Sequence, residues 1–310
     1  MAEGANIMKI AEVPVTCVAD TRDNLGEGCF WDVESQCLWW LDMIPPSRIH
    51  RLHVVSGELR TWYFTEILAS LAMRRDKSLL VASARGLNVF NPLSGAMTPL
   101  LRLEADKPLN RGNDGACDAL GRFWYGTMMN DIGEAGAELP VTEKTGTLYR
   151  IDSNLSATGM ASGFGVSNGP CWSPDNRTFY FSDSLTQIIW AYDFDLAVGV
   201  ISNPRVFNDS KDHGVPDGAT VDAEGFLWSA RWDGDCVLRI DPNGRIDRVV
   251  PMPARRVTNV CFGGPSLDTL YVTTSRIHMP EEDIRRHPFQ GGLFCFDPGV
   301  KGSEKHRYGG

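Results

Sequence analysis

Short apolar runs recur along this chain at a nearly constant spacing, and that spacing restricts its fold more than any other feature. CLWWLD, SLLVASA, RFWYGTM, TFYFSD, FLWSARW and TLYVTTS are too short for ordinary globular helices and rich in strand-favouring Trp, Tyr, Phe and Val. With Trp39, Leu80, Trp124, Tyr180, Trp228 and Tyr271 as anchors, successive intervals are 41, 44, 56, 48 and 43 residues. Three anchors follow turns of related wording, DALGRFW, SPDNRTFY and DAEGFLW. Further strand pairs come after them, in GTLYRID, IIWAYDFD, CVLRIDPNG and GLFCFDPG. Six such units, each with room for four short antiparallel strands, predict an all-β fold, a six-bladed β-propeller. A β-sandwich would not require the six-fold wording, and there is no α/β alternation to support a parallel sheet. The widest interval is absorbed by DIGEAGAELPVTEKTG at 131–146, which has loop composition. HMPEEDIRR at 278–286 has room for one or two helical turns. The expected organisation is a single domain over 1–310, with about 1–14 as an N-terminal extension free to flex.

Composition narrows the function classes. Of 310 residues, 43% are hydrophobic and 22% charged, enough apolar content for a sizeable core. Lys and Arg number 30 against 39 Asp and Glu, a net charge of -9 with no basic run, so nucleic acid is not an expected partner. No apolar stretch approaches the roughly 20 residues that cross a bilayer, and the opening MAEGANIMKIAEVPV does not read as a secretory signal. The expectation is a cytoplasmic protein without a membrane partner, monomeric or weakly homo-oligomeric. The 8 cysteines are dispersed, with no CxxC pair, and read as free buried thiols. His50 and His53 lie in RIHRLHVV, which alternates like a strand with a solvent face, so a metal role there has little support. No GxSxG elbow occurs.

The register also points to a site. LGEG, RGND, SNGP, PDGAT and TNVCFGG place Glu27, Asn113, Asn168, Asp217 and Asn259 at 12, 11, 12, 11 and 12 residues before their anchors. The innermost strand of each propeller blade begins beside the central channel, so equivalent positions converge on the axis. Each motif alone is an ordinary turn former. Their shared offset instead makes Glu27, Asn113, Asn168 and Asp217 candidates for one cluster. Crowded carboxylates repel unless protonated or neutralised by a cation. Oxygen-only donors suit a hard divalent ion such as Ca²⁺, Mg²⁺ or Mn²⁺.

These strings together resemble the SMP-30/gluconolactonase family, which includes the regucalcins. The likeness runs from LGEGCFW through NRGNDGACDALGRFWYGTM, VSNGPCWSPDNRTFYFSDSLTQIIWAYDFD and VPDGATVDAEGFLW to CFGGPSLDTLYVTTSR and GGLF. The resemblance implies a six-bladed propeller that hydrolyses a five- or six-carbon sugar lactone with one divalent ion (Ca, Mn, Zn, Mg or Fe) held by Glu27, Asn168 and Asp217. It implies that Arg111 and Asn113 contact the lactone or an ion-bound water, and that Asp131, one methylene shorter than the family's Glu, contacts a substrate hydroxyl. Cys29 replaces the family's usual Pro, Pro170 a common Leu, and Gly112 a frequently bulkier residue. The small Gly112 beside Arg111 implies a widened or reshaped sugar pocket.

In that chemistry the cation polarises the lactone carbonyl and acidifies a water, while Asp217 orients the water or accepts its proton. Arg111 offers a fork of donors, and Asn113 offers a donor and an acceptor. Two other functions fit the same residues: a calcium-binding regulatory or interaction propeller, and a metal hydrolase acting on a different ester.

Overall fold

The computed structural model describes residues 9–310. Six β-sheets stand around one axis. The innermost strands are Gly26–Asp32, Leu68–Met73, Asn110–Cys117, Ser167–Trp172, Val215–Val221 and Val257–Gly263. They contact one another in sequence order and close into a ring, the last against the first. Every anchor residue lies on the second strand of its blade, so the six-fold wording in the sequence is the propeller repeat itself. The wide interval is the loop between Phe123–Met129 and Gly146–Ile151, and Glu281–Arg286 is a short α-helix.

The core is divided among the blade junctions. Six apolar clusters form, each between two neighbouring blades. Trp124 and Leu148 of the third blade, for example, pack against Phe179, Phe181 and Phe194 of the fourth. Both faces of the middle strands are therefore covered, and Cys37–Asp42 and Leu79–Ser83 are buried at every position. The anchor runs consequently read as continuous apolar text rather than as alternation. Outer strands such as Glu58–Phe64 meet solvent.

The turn wording has a direct cause. In DALGRFW, Asp118 Oδ1 accepts the Leu120 and Arg122 amides, and Oδ2 accepts the Trp124 indole N–H at 2.9 Å. Asp222 of DAEGFLW does the same for Glu224, Phe226 and Trp228. One carboxylate thus shapes the turn and fixes the buried Trp of the next strand.

The sixth blade takes its outer strand, Thr16–Ala19, from the N-terminal end of the chain, paired antiparallel with Leu293–Phe296. Residues 1–8 of the expected extension lie outside the described residues. Lys9–Ile10 within it runs parallel to Ile246–Pro251 and adds a fifth strand to the fifth blade. His50, expected near a solvent face, is buried: its Nε2 lies 3.0 Å from Asp23 Oδ1 and its Nδ1 2.9 Å from Thr61 Oγ1. It is a core residue of the first blade. No helix among the described residues is long and apolar enough to cross a membrane.

Candidate metal centre

All six inner strands carry one extra residue relative to their neighbours. The ladder slips between Glu27 and Phe30, Gly112 and Gly115, Asn168 and Cys171, and Pro216 and Ala219. It also slips between Leu68 and Ser70 and between Val257 and Asn259. Such bulges re-aim side chains out of the pleat. Here they fall on the motifs that share an offset, so Glu27, Asn113, Asp114, Asn168 and Asp217 all sit at bulges near the start of their strands. Gly28 and Gly169 follow two of these residues with φ of 59° and 61°, a conformation other residues adopt only with strain.

Hydrogen bonds tie the site across blades. Arg111 Nη1 donates to Asn113 Oδ1 at 2.7 Å, and Asn113 Nδ2 donates to Asn168 Oδ1 and Ser167 O, both at 2.9 Å. Asn168 Nδ2 donates to Ser184 Oγ at 2.8 Å, and Ser184 Oγ donates to the carbonyl of Pro216 at 2.6 Å, next to Asp217. This chain fixes the Asn168 amide with its nitrogen turned to Ser184. Asn113 takes one lone pair of Oδ1, and the other remains for a ligand.

Among the described residues, no ion pair reaches the buried carboxylates of this site. Glu27, Asp114 and Asp217 are each 7% exposed. Glu27 Oε2 accepts the Gly28 amide and Asn259 Nδ2, both at 3.0 Å. Asp114 accepts the Gly115 and Gly169 amides at 2.8 and 2.9 Å. Asp217 receives the neighbouring Gly218 amide. Burial, reinforced by Asp114, pushes Glu27 up to about 8. Burial, then Glu27 and Asp114, pushes Asp217 well above the usual carboxylate range. Carboxylates in that condition are poised to take up either protons or a cation. Glu27 Oε1 and the Asp217 carboxylate are free of side-chain partners, and Asn168 Oδ1 keeps the lone pair that Asn113 does not take, a donor set that fits a hard divalent ion. Among the described residues no group of three or more His, Cys, Asp or Glu side chains has metal-site geometry. The set described here contains two carboxylates and one amide.

Arg111 and Asp131 are brought together at the mouth. Arg111 is 4% exposed, and its Nε and Nη2 both donate to Asp131 Oδ1, at 2.9 and 2.7 Å. Its Nη1 also donates to Gly112 O at 2.8 Å. The guanidinium fork is therefore largely engaged within the protein, and the half-buried Asp131 holds it. The pocket expected from the small Gly112 is not wider. A Cβ on Gly112 would lie 1.3 Å from Tyr125 Oη, so the Tyr125 ring occupies that volume, its hydroxyl donating to Ser83 O at 3.0 Å.

Sequence reasoning named Asn259 by offset without giving it a role, and it did not assign Asp114, Ser184 or Lys305. Asp114 and Asn259 were within reach, one in RGND and the other at the common offset. Ser184 was reachable only through the pairing of Ser167–Trp172 with Thr178–Asp183. All eight cysteines are free. Cys29 is 1% exposed, with its thiol 3.5 Å from Asn259 Oδ1, and burial, then Cys261, pushes that thiol well above its ordinary value. It is placed and buffered as a packing group, not as a nucleophile.

Comparison with known proteins agrees with this architecture. The family model described as SMP-30/Gluconolactonase/LRE-like region matches residues 25–276. Regucalcin of Gallus gallus is 32% identical over 304 residues, covering 97% of this chain and 100% of that protein. Pentonolactonase XacC of Haloferax volcanii is 37% identical over 262 residues, covering 84% and 85% respectively. The crystal structure of a calcium-binding protein, regucalcin, from Agrobacterium tumefaciens superimposes with a TM-score of 0.89 at 29% identity, covering 97% of this chain and 99% of that one.

Proposed function

The chain belongs to the SMP-30/gluconolactonase/LRE-like family, and on that premise we propose that its axial site hydrolyses a five- or six-carbon sugar lactone to the free aldonate with one divalent ion. Homology to sugar lactonases supports a lactonase-type hydrolase at the family level. The observation that carries the finer reading is the convergence of Glu27, Asn168 and Asp217, two buried carboxylates and an oriented amide oxygen, which among the described residues no ion pair reaches.

Glu27, Asn168 and Asp217 would hold the ion. When bound, it supplies Lewis acidity toward the lactone carbonyl. Asp217 accepts a proton from the attacking water as the water oxygen bonds to the carbonyl carbon. The proton then passes to the ring oxygen as the acyl C–O bond breaks, leaving a hydroxyl and a carboxylic acid that loses its proton to solvent as the free aldonate. Arg111, held by Asp131, places positive charge at the mouth, where sugar hydroxyls enter and the carboxylate product leaves. Its remaining Nη2 hydrogen and the second Asp131 oxygen provide a donor and an acceptor for the sugar. Asn113 acts through Asn168 by fixing the ligand oxygen.

The test is a panel of aldonolactones, phosphoesters and thioesters assayed with purified protein, with chelator and with added Ca²⁺, Mn²⁺, Zn²⁺ or Mg²⁺. Ion-dependent opening of one or more lactones, abolished in Asp217→Asn, is the expected result. Tight ion binding with no turnover of any lactone would favour the calcium-binding reading and overturn this one.

A further inference from the structure

The axial channel continues below the candidate site as a cavity of about 240 Å³. Its walls are the later halves of the inner strands, including Cys29, Asp114 and Cys171, and its floor is Ser303–His306. The C-terminal segment forms this floor by crossing the face opposite the site. On one side Lys301 O accepts the Ala223 amide and Gly302 N donates to Leu267 O, both at 2.8 Å, on the fifth and sixth blades. On the other side Arg307 pairs with Asp32 at 2.7 Å, Tyr308 N donates to Met73 O at 2.8 Å, and Gly309 N donates to Gly121 O at 2.9 Å. These anchors lie on the first, second and third blades. Tyr308 is fully buried. Residues 303–306 therefore bridge the channel mouth as a strap.

Lys305 turns inward from the strap. Its ammonium donates to the carbonyl of Cys29 at 2.9 Å, two residues from Glu27, and it lines the same cavity as Asp114. Among the described residues, no ion pair reaches Glu27, Asp114 or Asp217; the Lys305 charge offsets that of Asp114, which in turn acts on Glu27 and Asp217. The cation at the other end, Arg111, is engaged by Asp131. The channel thus holds three buried carboxylates with one ammonium inserted from below.

The geometry points to Lys305 as a positioning residue of the axial site: an internal counter-charge, delivered by the strap, that steadies the carboxylates before an ion binds and weakens their grip on that ion afterwards. The inference rests on the reading of the axis as a divalent-ion site. A fixed positive charge in a poorly solvated channel opposes a second cation and relieves repulsion among anions. Removing it should act in one direction on both counts, making the ion-free protein less stable and ion binding tighter.

The experiment uses the full chain without lactone and compares the unaltered protein with Lys305→Met, Lys305→Gln and Lys305→Arg. Calorimetric titration with Ca²⁺ and with Mn²⁺ gives affinity, and melting temperatures are taken in chelator and in saturating ion. Met and Gln variants should bind the ion about 10-fold more tightly. They should melt earlier than the unaltered protein in chelator and recover most of the loss when the ion is added. Arg should stay near the unaltered protein. A Met variant that folds only with ion present supports the inference in the same sense. Equal or weaker binding in both neutral variants, or an equal loss of melting temperature with and without ion, would reduce Lys305 to a fastener of the strap and overturn it. If the unaltered protein binds neither ion, the metal reading fails first and this inference falls with it.

Discussion

Glu27 shows how burial becomes function at the scale of a single residue. It is held at about 8 against an ordinary 4.5, by burial first and Asp114 second, so near neutrality the ion-free site carries a proton that a cation must displace. Ion binding therefore releases protons, and affinity should climb from about pH 6.5 to about pH 8.5. Calorimetric titration in buffers of different ionisation enthalpy measures this directly, and a flat affinity would contradict it. The sign for stability follows from the same shift. A carboxylate with a raised folded value costs the ion-free fold stability as pH rises from its unfolded value toward about 8. The melting-temperature gap between ion-loaded and chelated protein should widen over that range. Arg111→Ala separates the shells: the ligands remain, so the ion should still bind, more weakly as Asn113 loses its partner, while lactone hydrolysis falls by at least ~10²-fold. Metal analysis beside initial rates reads both. Gly112→Ala should destabilise by ~1–3 kcal/mol because Tyr125 fills the space its methyl needs. The same change in a Tyr125→Leu background should cost much less, a coupling that a double-mutant cycle reads from denaturation midpoints.

At the scale of the element, the turns in the third and fifth blades each depend on one carboxylate. Asp222 is fully buried, accepts two amides and the Trp228 indole, and pairs with Arg239 at 2.8 Å. Asp222→Ala would leave the Trp228 indole N–H and two turn amides without their acceptor, while Arg239 keeps Glu224 and Asp247, and should cost ~1–3 kcal/mol. Denaturant unfolding of the purified variant tests this. A loss under ~1 kcal/mol would mean that the fifth blade tolerates an unpartnered turn. The inner strands show the complementary case. Their bulges are legible only as Gly-containing polar motifs, because any such motif is also an ordinary turn signal. What made them readable was recurrence at one offset. All five offset motifs then proved to overlap a ladder slip beside the channel.

For the whole molecule, closure of the ring is the governing constraint. The sixth blade is completed by Thr16–Ala19, so residues from the two ends of the chain hold the first and last blades in one sheet circuit. A chain beginning at residue 21 should lose that outer strand, expose the Leu293–Phe296 edge and melt several degrees lower with a broader transition. Scanning calorimetry on the shortened and full chains decides the point. Aggregation through the exposed edge is the expected failure mode. The strap at 303–306 closes the same molecule along its axis rather than around its rim.

The sequence alone determined the propeller, because six near-equal units leave their period in the text and each unit must spend its apolar residues on two neighbours. It also located Glu27, Asn113, Asn168 and Asp217, because a ring places equal offsets at equal radius. Tertiary structure decided everything that depends on which side chain faces which. Arg111 proved to be engaged by Asp131, and the space at Gly112 belonged to Tyr125, 13 residues away on the facing strand. Ser184 proved to set the Asn168 amide, and Lys305, almost at the end of the chain, stood under Asp114. None of these pairs has a spacing that recurs between blades, so no period could carry them. They arise only when strands far apart in sequence are packed around a single axis.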